Sequence, residues 1–392
     1  MTKRGFGRGA AALLLAAAAL VAGAALAPAS TTGGSAGRGS TTPRRLRAGR
    51  PGDVISTTPI IAPAGSRAWR VLYHSRAVDG RDVAVSGVIV APTGKGPPGG
   101  RPVVAWAHGT HGLADACAPS RAIDVTYRLP GIRDFIRAGY VVAATDYEGL
   151  GTPGEHPYLV GASEARSVLD IARAARRLPG TDAGANLLVY GHSQGGQAAL
   201  FAAELAAGYA PELHVLGVAA VAPVSDVTTM LPGAARNPAL VGYVVMAAVG
   251  LHAAYPSVDL GTVLTPPTLA RLSIVDQLCS DDVVDAFAEL PPGSVIVRNP
   301  VEVPAVAALE ARNRAGNVAT AVPQFVIQGD RDLLVPPRQS DLYVARACAL
   351  GDRVLYRVYP GQDHVGARDV SVRDVEAWIA GRVAGTPAPS SC

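Results

Sequence analysis

The sequence predicts an α/β fold: a mostly parallel central sheet flanked by helices, interrupted late in the chain by a large helical cap. Three observations carry that prediction. Short apolar runs at 102–108, 141–145, 187–190, 215–221, 323–328 and 354–359 alternate with helix-patterned segments, the rhythm of strand–helix units covered on both faces. One run, 187–190, passes through Gly191-His192-Ser193-Gln194-Gly195 directly into an alanine-rich amphipathic stretch. The rhythm then breaks over 227–322, where an apolar segment (240–254) and an acidic one (276–289) read as helices before strand character returns at Pro323.

Composition narrows the class. The chain has 392 residues, 49% hydrophobic and 17% charged, enough for one large core with an insertion. Its formal charge of +4 is weak, and Lys3, Arg4, Arg8, Arg38, Arg44, Arg45, Arg47 and Arg50 supply much of it before the folded region. No basic surface interleaved with aromatics follows, which argues against a nucleic-acid partner. No obligate protein partner is evident either.

The N-terminus reads as an address. Lys3, Arg4 and Arg8 precede an apolar run at 10–27 and then Pro28-Ala29-Ser30, the order of an export signal; a retained membrane anchor is the competing reading. Residues 1–30 are therefore expected to be a signal peptide and 31–50 a flexible tail or short propeptide, giving a secreted, soluble product. The folded region is expected as a first core part at 51–226, a cap or lid at 227–322 and a second core part at 323–392. Four cysteines, Cys117, Cys279, Cys348 and Cys392, suit disulfides in an exported chain. Their spacing leaves all three pairings open and is too wide for a structural zinc site.

In chain order, 69–75 and 83–91 read as a hairpin about Val78-Asp79-Gly80. The next run ends in His108-Gly109-Thr110-His111-Gly112, a glycine-rich turn of the kind that aims an amide at an oxyanion. Residues 132–138 predict a short helix. The strand at 141–145 leads into Asp146-Tyr147-Glu148-Gly149-Leu150-Gly151, whose carboxylates read chiefly as loop supports. A helix is expected at 162–178, stopped by Pro179-Gly180, and others at 338–349 and 370–383.

The chemistry converges on Ser193. A strand that bends at once into a helix, with glycines where the backbone crowds and serine at the bend, is the context of a nucleophile elbow. Serine needs a base to take its proton, and the base needs a carboxylate to fix its tautomer. After such an elbow the expected order is acid, then histidine. Asp332 follows the strand at 323–328, and His364 follows the last strand in Gly361-Gln362-Asp363-His364. Asp226 is a lesser candidate for the acid. Backbone N–H groups of Thr110 and Gln194 are the expected oxyanion donors, with His111 as the alternative first donor and His108 as a structural residue. The scheme calls for no cofactor and no metal.

Together these motifs resemble a known family: the secretory lipases, α/β-hydrolases that include the yeast lipase A type and many actinobacterial extracellular members. The resemblance spans 52–392 and rests on His108-Gly109-Thr110 with Cys117-Ala118-Pro119-Ser120. It continues in Thr145-Asp146-Tyr147-Glu148-Gly149-Leu150-Gly151, Gly191-His192-Ser193-Gln194-Gly195-Gly196, residues 329–336 and 361–364. It implies an α/β-hydrolase fold, Ser193 as nucleophile, Asp332 as acid, His364 as base, and a lid between the strand after the elbow and the strand before Asp332. It also implies disulfides Cys117–Cys279 and Cys348–Cys392. The implied substrate is a triacylglycerol or other lipid ester, met with transient contact at a lipid interface. A short-chain or polymer-ester esterase would use the same chemistry, and a catalytically inactive secreted binding protein is the distant alternative.

Overall fold

A computed structural model describes residues 46–124, 129–291 and 293–392, the side chain of Pro232 excepted. The expected signal peptide (1–30) and most of the expected tail (31–45 of 31–50) lie outside the described residues.

The strands are β1 (Val54–Ile60), β2 (Ser66–Arg76), β3 (Asp82–Pro92), β4 (Arg101–Ala107), β5 (Val141–Thr145), β6 (Ala183–His192), β7 (His214–Val221), β8 (Gln324–Gly329) and β9 (Val354–Tyr359). They form one sheet in the order β1-β2-β3-β5-β4-β6-β7-β8-β9. Pairing is antiparallel from β1 to β5 and parallel from β5 to β9. The result is the mixed, mostly parallel sheet of an α/β-hydrolase. β1 was not legible in the sequence. Its VISTTPI run carries a proline and half-exposed polar residues, tolerable because the strand is an edge.

Side chains of the central strands alternate between two buried layers. Val103, Ala105 and Ala107 pack one face against α2 (Gly161–Arg177), α3 (Gln194–Tyr209) and α9 (Arg338–Ala349). Val104 and Trp106 pack the other against α1 (Ile132–Arg137) and α10 (His364–Val383). Period-two alternation with both sets apolar is what a doubly covered sheet requires.

Between β7 and β8 lie α4 (Val227–Ala234), α5 (Pro238–Ala254), α6 (Pro266–Leu269), α7 (Ser280–Ala288) and α8 (Pro304–Arg312). They share an apolar core that includes Val244, Val245, Leu251, Val283, Phe287 and Val306 and that continues into Leu113, Tyr158, Leu159, Val160 and Val335 of the sheet domain. α5 is apolar around its circumference, as a helix enclosed by neighbours must be. This segment is fastened to the sheet domain at α7. Cys279 is disulfide-bonded to Cys117, Ser280 N–H donates to the His111 carbonyl at 3.0 Å, and Gly112 bridges Cys279. A second disulfide joins Cys348 of α9 to Cys392.

Several elements start earlier than their sequence suggests, the last helix by the widest margin. The last helix, expected over 370–383, begins at His364, because the Asp363 carboxylate caps it by accepting the Gly366 N–H at 2.7 Å.

Candidate active site

β4, β6, β8 and β9 run parallel, so their carboxyl ends deliver four loops to one edge of the sheet. β6 ends at His192, and Ser193 turns the chain with φ 60° and ψ −118°. A left-handed serine costs about 1–3 kcal/mol and persists only when its surroundings hold it. Here Ser193 N–H donates to the Val221 carbonyl at 2.9 Å, and the Ser193 carbonyl accepts from Gln197 N–H at 3.2 Å. Two glycines make the bend possible. A Cβ on Gly191 would collide with the Gly195 carbonyl oxygen, and one on Gly195 with that of Ala107.

Asp332 lies just beyond β8 with both oxygens occupied. Oδ1 accepts the N–H groups of Leu334 (2.9 Å) and Val335 (2.8 Å). Oδ2 accepts from Gln328 Nε2 at 3.1 Å and from His364 Nδ1 at 2.7 Å. A neutral imidazole that donates from Nδ1 presents a lone pair at Nε2. That atom is buried and makes no hydrogen bond among the described residues. His364 and Ser193 line the same cavity, with no hydrogen bond between their side chains among the described residues.

The loops of Asp332 and His364 are stitched together: Asp330 Oδ1 accepts Gly361 N–H at 2.6 Å, and Arg331 N–H donates to the Gln362 carbonyl at 3.0 Å. His192 packs against His364, ring centroids 4.6 Å apart, and its Nε2–H donates to the His364 carbonyl at 3.0 Å. Burial, then the neighbouring His364, push the His192 pKa down to about 3, so it adds no charge beside the base. Asp226, the lesser candidate acid, is engaged elsewhere: it caps α4 by accepting Thr228 N–H at 3.1 Å.

Opposite the serine is the turn after β4. His108, Gly109, Thr110 and His111 line the cavity, and the His108 carbonyl accepts Tyr147 Oη–H at 2.9 Å. Burial and the nearby His111 hold the His108 pKa well below the ordinary histidine range. Gln194 is the first residue of α3, so its amide hydrogen has no carbonyl partner within the helix and points out of its N-terminus.

One segment braces both walls of this site. Tyr158 Oη and Thr110 Oγ1 are hydrogen-bonded at 2.7 Å. The Gln194 side-chain amide donates to Glu164 Oε1 (2.8 Å) and to His156 Nε2 (3.0 Å), while His156 Nδ1–H donates to the Glu148 carbonyl at 2.7 Å. Glu164 also accepts Leu159 N–H at 2.9 Å. Burial raises its pKa to about 8 and lowers that of His156 to about 4, so both are neutral at pH 7. This brace does not follow from the sequence motifs. Its signal was available: Glu164 is an acid in the apolar stripe of α2, one turn before Val168.

The cavity over Ser193 has a volume of about 900 Å³. Met230 and Leu231 of α4 and Tyr243, Val244 and Ala247 of α5 form its apolar side; Arg133, Asp134, Arg368 and Asp369 stand at the other. Among the described residues no cluster of three or more His, Cys, Asp or Glu could hold a metal ion.

The secretory lipase profile matches residues 116–391. The chain belongs to the secretory lipase family. Members of this family act outside the cell, and this chain is a secreted protein; its two disulfides suit an oxidising compartment. It is 28% identical over 255 residues to a secreted triacylglycerol lipase of Malassezia furfur, a match over 62% of this chain and 46% of that one. It is also 23% identical over 362 residues to a protein of Mycobacterium tuberculosis described as a probable inactive lipase, covering 86% of this chain and 79% of that one. Among solved structures, Candida antarctica lipase A superposes with a TM-score of 0.76 at 19% identity, over 88% of this chain and 84% of the other. Among the described residues, no helix is long and apolar enough to cross a membrane.

Proposed function

We propose that this chain is an active carboxylic ester hydrolase that cleaves lipid esters through an acyl-enzyme on Ser193. The observation that carries the reading is the 2.7 Å Asp332–His364 hydrogen bond, with His364 Nε2, which makes no hydrogen bond among the described residues, and the strained Ser193 belonging to residues of one cavity.

In this scheme Ser193 Oγ attacks the ester carbonyl carbon as its proton passes to His364 Nε2. Asp332 stabilises the imidazolium through Nδ1–H. The carbonyl oxygen becomes anionic and is met by the N–H groups of Thr110 and Gln194. Collapse breaks the ester bond, and the imidazolium proton goes to the departing alkoxide, which leaves as alcohol. Water then loses a proton to His364 and attacks the acyl carbon; Ser193 leaves and regains a proton, releasing the carboxylic acid.

The lipid reading is supported by the aliphatic walls that α4 and α5 give the cavity, the inserted segment serving as a cap over the serine. It is also supported by Leu333, 85% exposed beside Asp332, and Val365, 48% exposed beside His364, apolar groups suited to transient contact with a lipid surface. The charged side of the cavity favours a second reading, an esterase for more polar esters with the same triad. A chain-length series of p-nitrophenyl esters and triacylglycerols separates the two. Rates that rise beyond butyryl and extend to triacylglycerol support the lipase; activity confined to acetyl and butyryl esters defeats it.

A further inference from the structure

A second, smaller cavity of about 20 Å³ lies behind one wall of the first. The two share Val227 and Leu231 of α4 and Val244 and Ala247 of α5. Leu240 faces only the larger cavity and Leu251 only the smaller. The pair therefore follows α5 for roughly 16 Å, eleven residues at about 1.5 Å each. This is the span of a long acyl chain. The smaller cavity is aliphatic except for one lining residue, Glu310 of α8, which brings a carboxyl.

That carboxyl is poorly provided for. Glu310 is 6% exposed, and its Oε2 makes no hydrogen bond among the described residues; Asn313 supplies its side-chain hydrogen bond. It sits in the last turn of α8, where the helix dipole disfavours an anion. Burial, the largest influence, lifts its pKa to about 7. A water molecule needs about 10–15 Å³ and two to four polar partners, and this space offers one carboxyl. Leaving such a group unpaired costs about 1–3 kcal/mol.

A hydroxyl at the end of an apolar chain meets every condition. The chain covers the aliphatic walls, and the hydroxyl donates to the carboxylate or accepts from the carboxylic acid, so both protonation states are satisfied. A methyl end leaves Oε2 unpaired. A carboxylate end adds a second negative charge, and an ammonium end must lose its hydration along the whole aliphatic passage. Entry asks chiefly for a rotamer change of Leu231, since Val227 and Val244 are stiff.

We propose that Glu310 is the distal selectivity determinant of the acyl site, and that the preferred acyl groups carry a hydroxyl at the end remote from the ester. The proposal rests on ester hydrolysis at Ser193. Its test uses p-nitrophenyl esters of graded length, each with a terminal methyl or a terminal hydroxyl, and p-nitrophenyl butyrate as reference. The protein is compared with Glu310→Gln and Glu310→Leu. The expected result is a ten- to hundredfold preference in kcat/KM for the hydroxylated ester, about what one buried unpaired group costs, only at the lengths that reach Glu310. Glu310→Gln keeps part of that preference through its amide, and Glu310→Leu reverses it. A purely structural role for Glu310 would slow all esters alike and leave the ratio untouched, which overturns the proposal. So does a wild-type protein that hydrolyses butyrate but shows no hydroxyl preference at any length. Absent butyrate hydrolysis by the wild type removes the ester-hydrolase reading first, and this inference with it.

Discussion

The carboxyl edge of the sheet and the segment between β7 and β8 are built on opposite principles. At the edge, each proposed reacting group is held by named directional bonds: Ser193 by Val221 and Gln197, Asp332 by Leu334, Val335 and Gln328, His364 by Asp332 and His192. The inserted segment is held mainly by aliphatic packing among α4, α5, α7 and α8. Directional bonds fix atoms to fractions of an ångström, as proton transfer and oxyanion stabilisation demand. Apolar walls accept many shapes and discriminate in small steps, about 1–3 kcal/mol per methylene. On the proposed function, the first region governs whether reaction occurs and the second which acyl group reacts.

Substitutions should separate the two regions in the same way. The largest effect is expected at the triad: Ser193→Ala or His364→Ala should lower kcat by about 10⁶ and Asp332→Asn by about 10⁴, with circular dichroism unchanged. Full activity in any of the three would break the contrast at its root. Next comes the bond that ties the regions together. Cys279→Ser opens the Cys117–Cys279 disulfide and should cost about 2–5 kcal/mol in denaturant unfolding.

An effect of similar size is expected at Glu164, and its sign follows from burial. The folded chain keeps this proton up to about pH 8, whereas an ordinary glutamate releases it near 4.5. The stabilisation is complete below 4.5 and is lost as pH rises toward 8, on the order of 1 kcal/mol per unit. Glu164→Gln cannot ionise, so its stability relative to wild type should improve steadily from pH 5 to 8; parallel curves would show that Glu164 is not a buried neutral acid. His192 acts in the opposite direction. With its pKa near 3 it destabilises the fold as pH falls from 6.5 toward 3, and His192→Gln should flatten that limb in urea titrations. Smallest is the graded change in the inserted segment. Val244→Phe should lower the ratio of long- to short-chain ester hydrolysis about tenfold, measured as kcat/KM.

Most of the edge was legible in the sequence because its chemistry is local in the chain. The Gly191 to Gly195 bend writes a steric requirement as glycine, and β4, β5, β6 and β7 are apolar runs between clear breakers. Asp332 and His364 could be named because each follows a strand whose end must reach the same edge. Legibility failed where one element borrows from another. The start of α10 depends on a single capping bond from Asp363, and β1 on the pairing of an otherwise unremarkable edge run. The Glu164, His156 and Gln194 brace joins residues far apart in sequence, with only a misplaced charge on α2 to announce it. Cysteine spacing left three pairings open; the family resemblance implied the right one, and the placement of α7 against the turn after β4 is what brings Cys117 and Cys279 together.

The central claim is that Ser193 is a nucleophile poised by Asp332 and His364. Its most direct measurement is titration of the secreted protein with a p-nitrophenyl alkylphosphonate, followed by mass spectrometry of the labelled peptide. The account predicts one equivalent of nitrophenol, one phosphonyl adduct on Ser193, and neither in Ser193→Ala. An unlabelled wild-type protein, or an adduct on another residue, would contradict it.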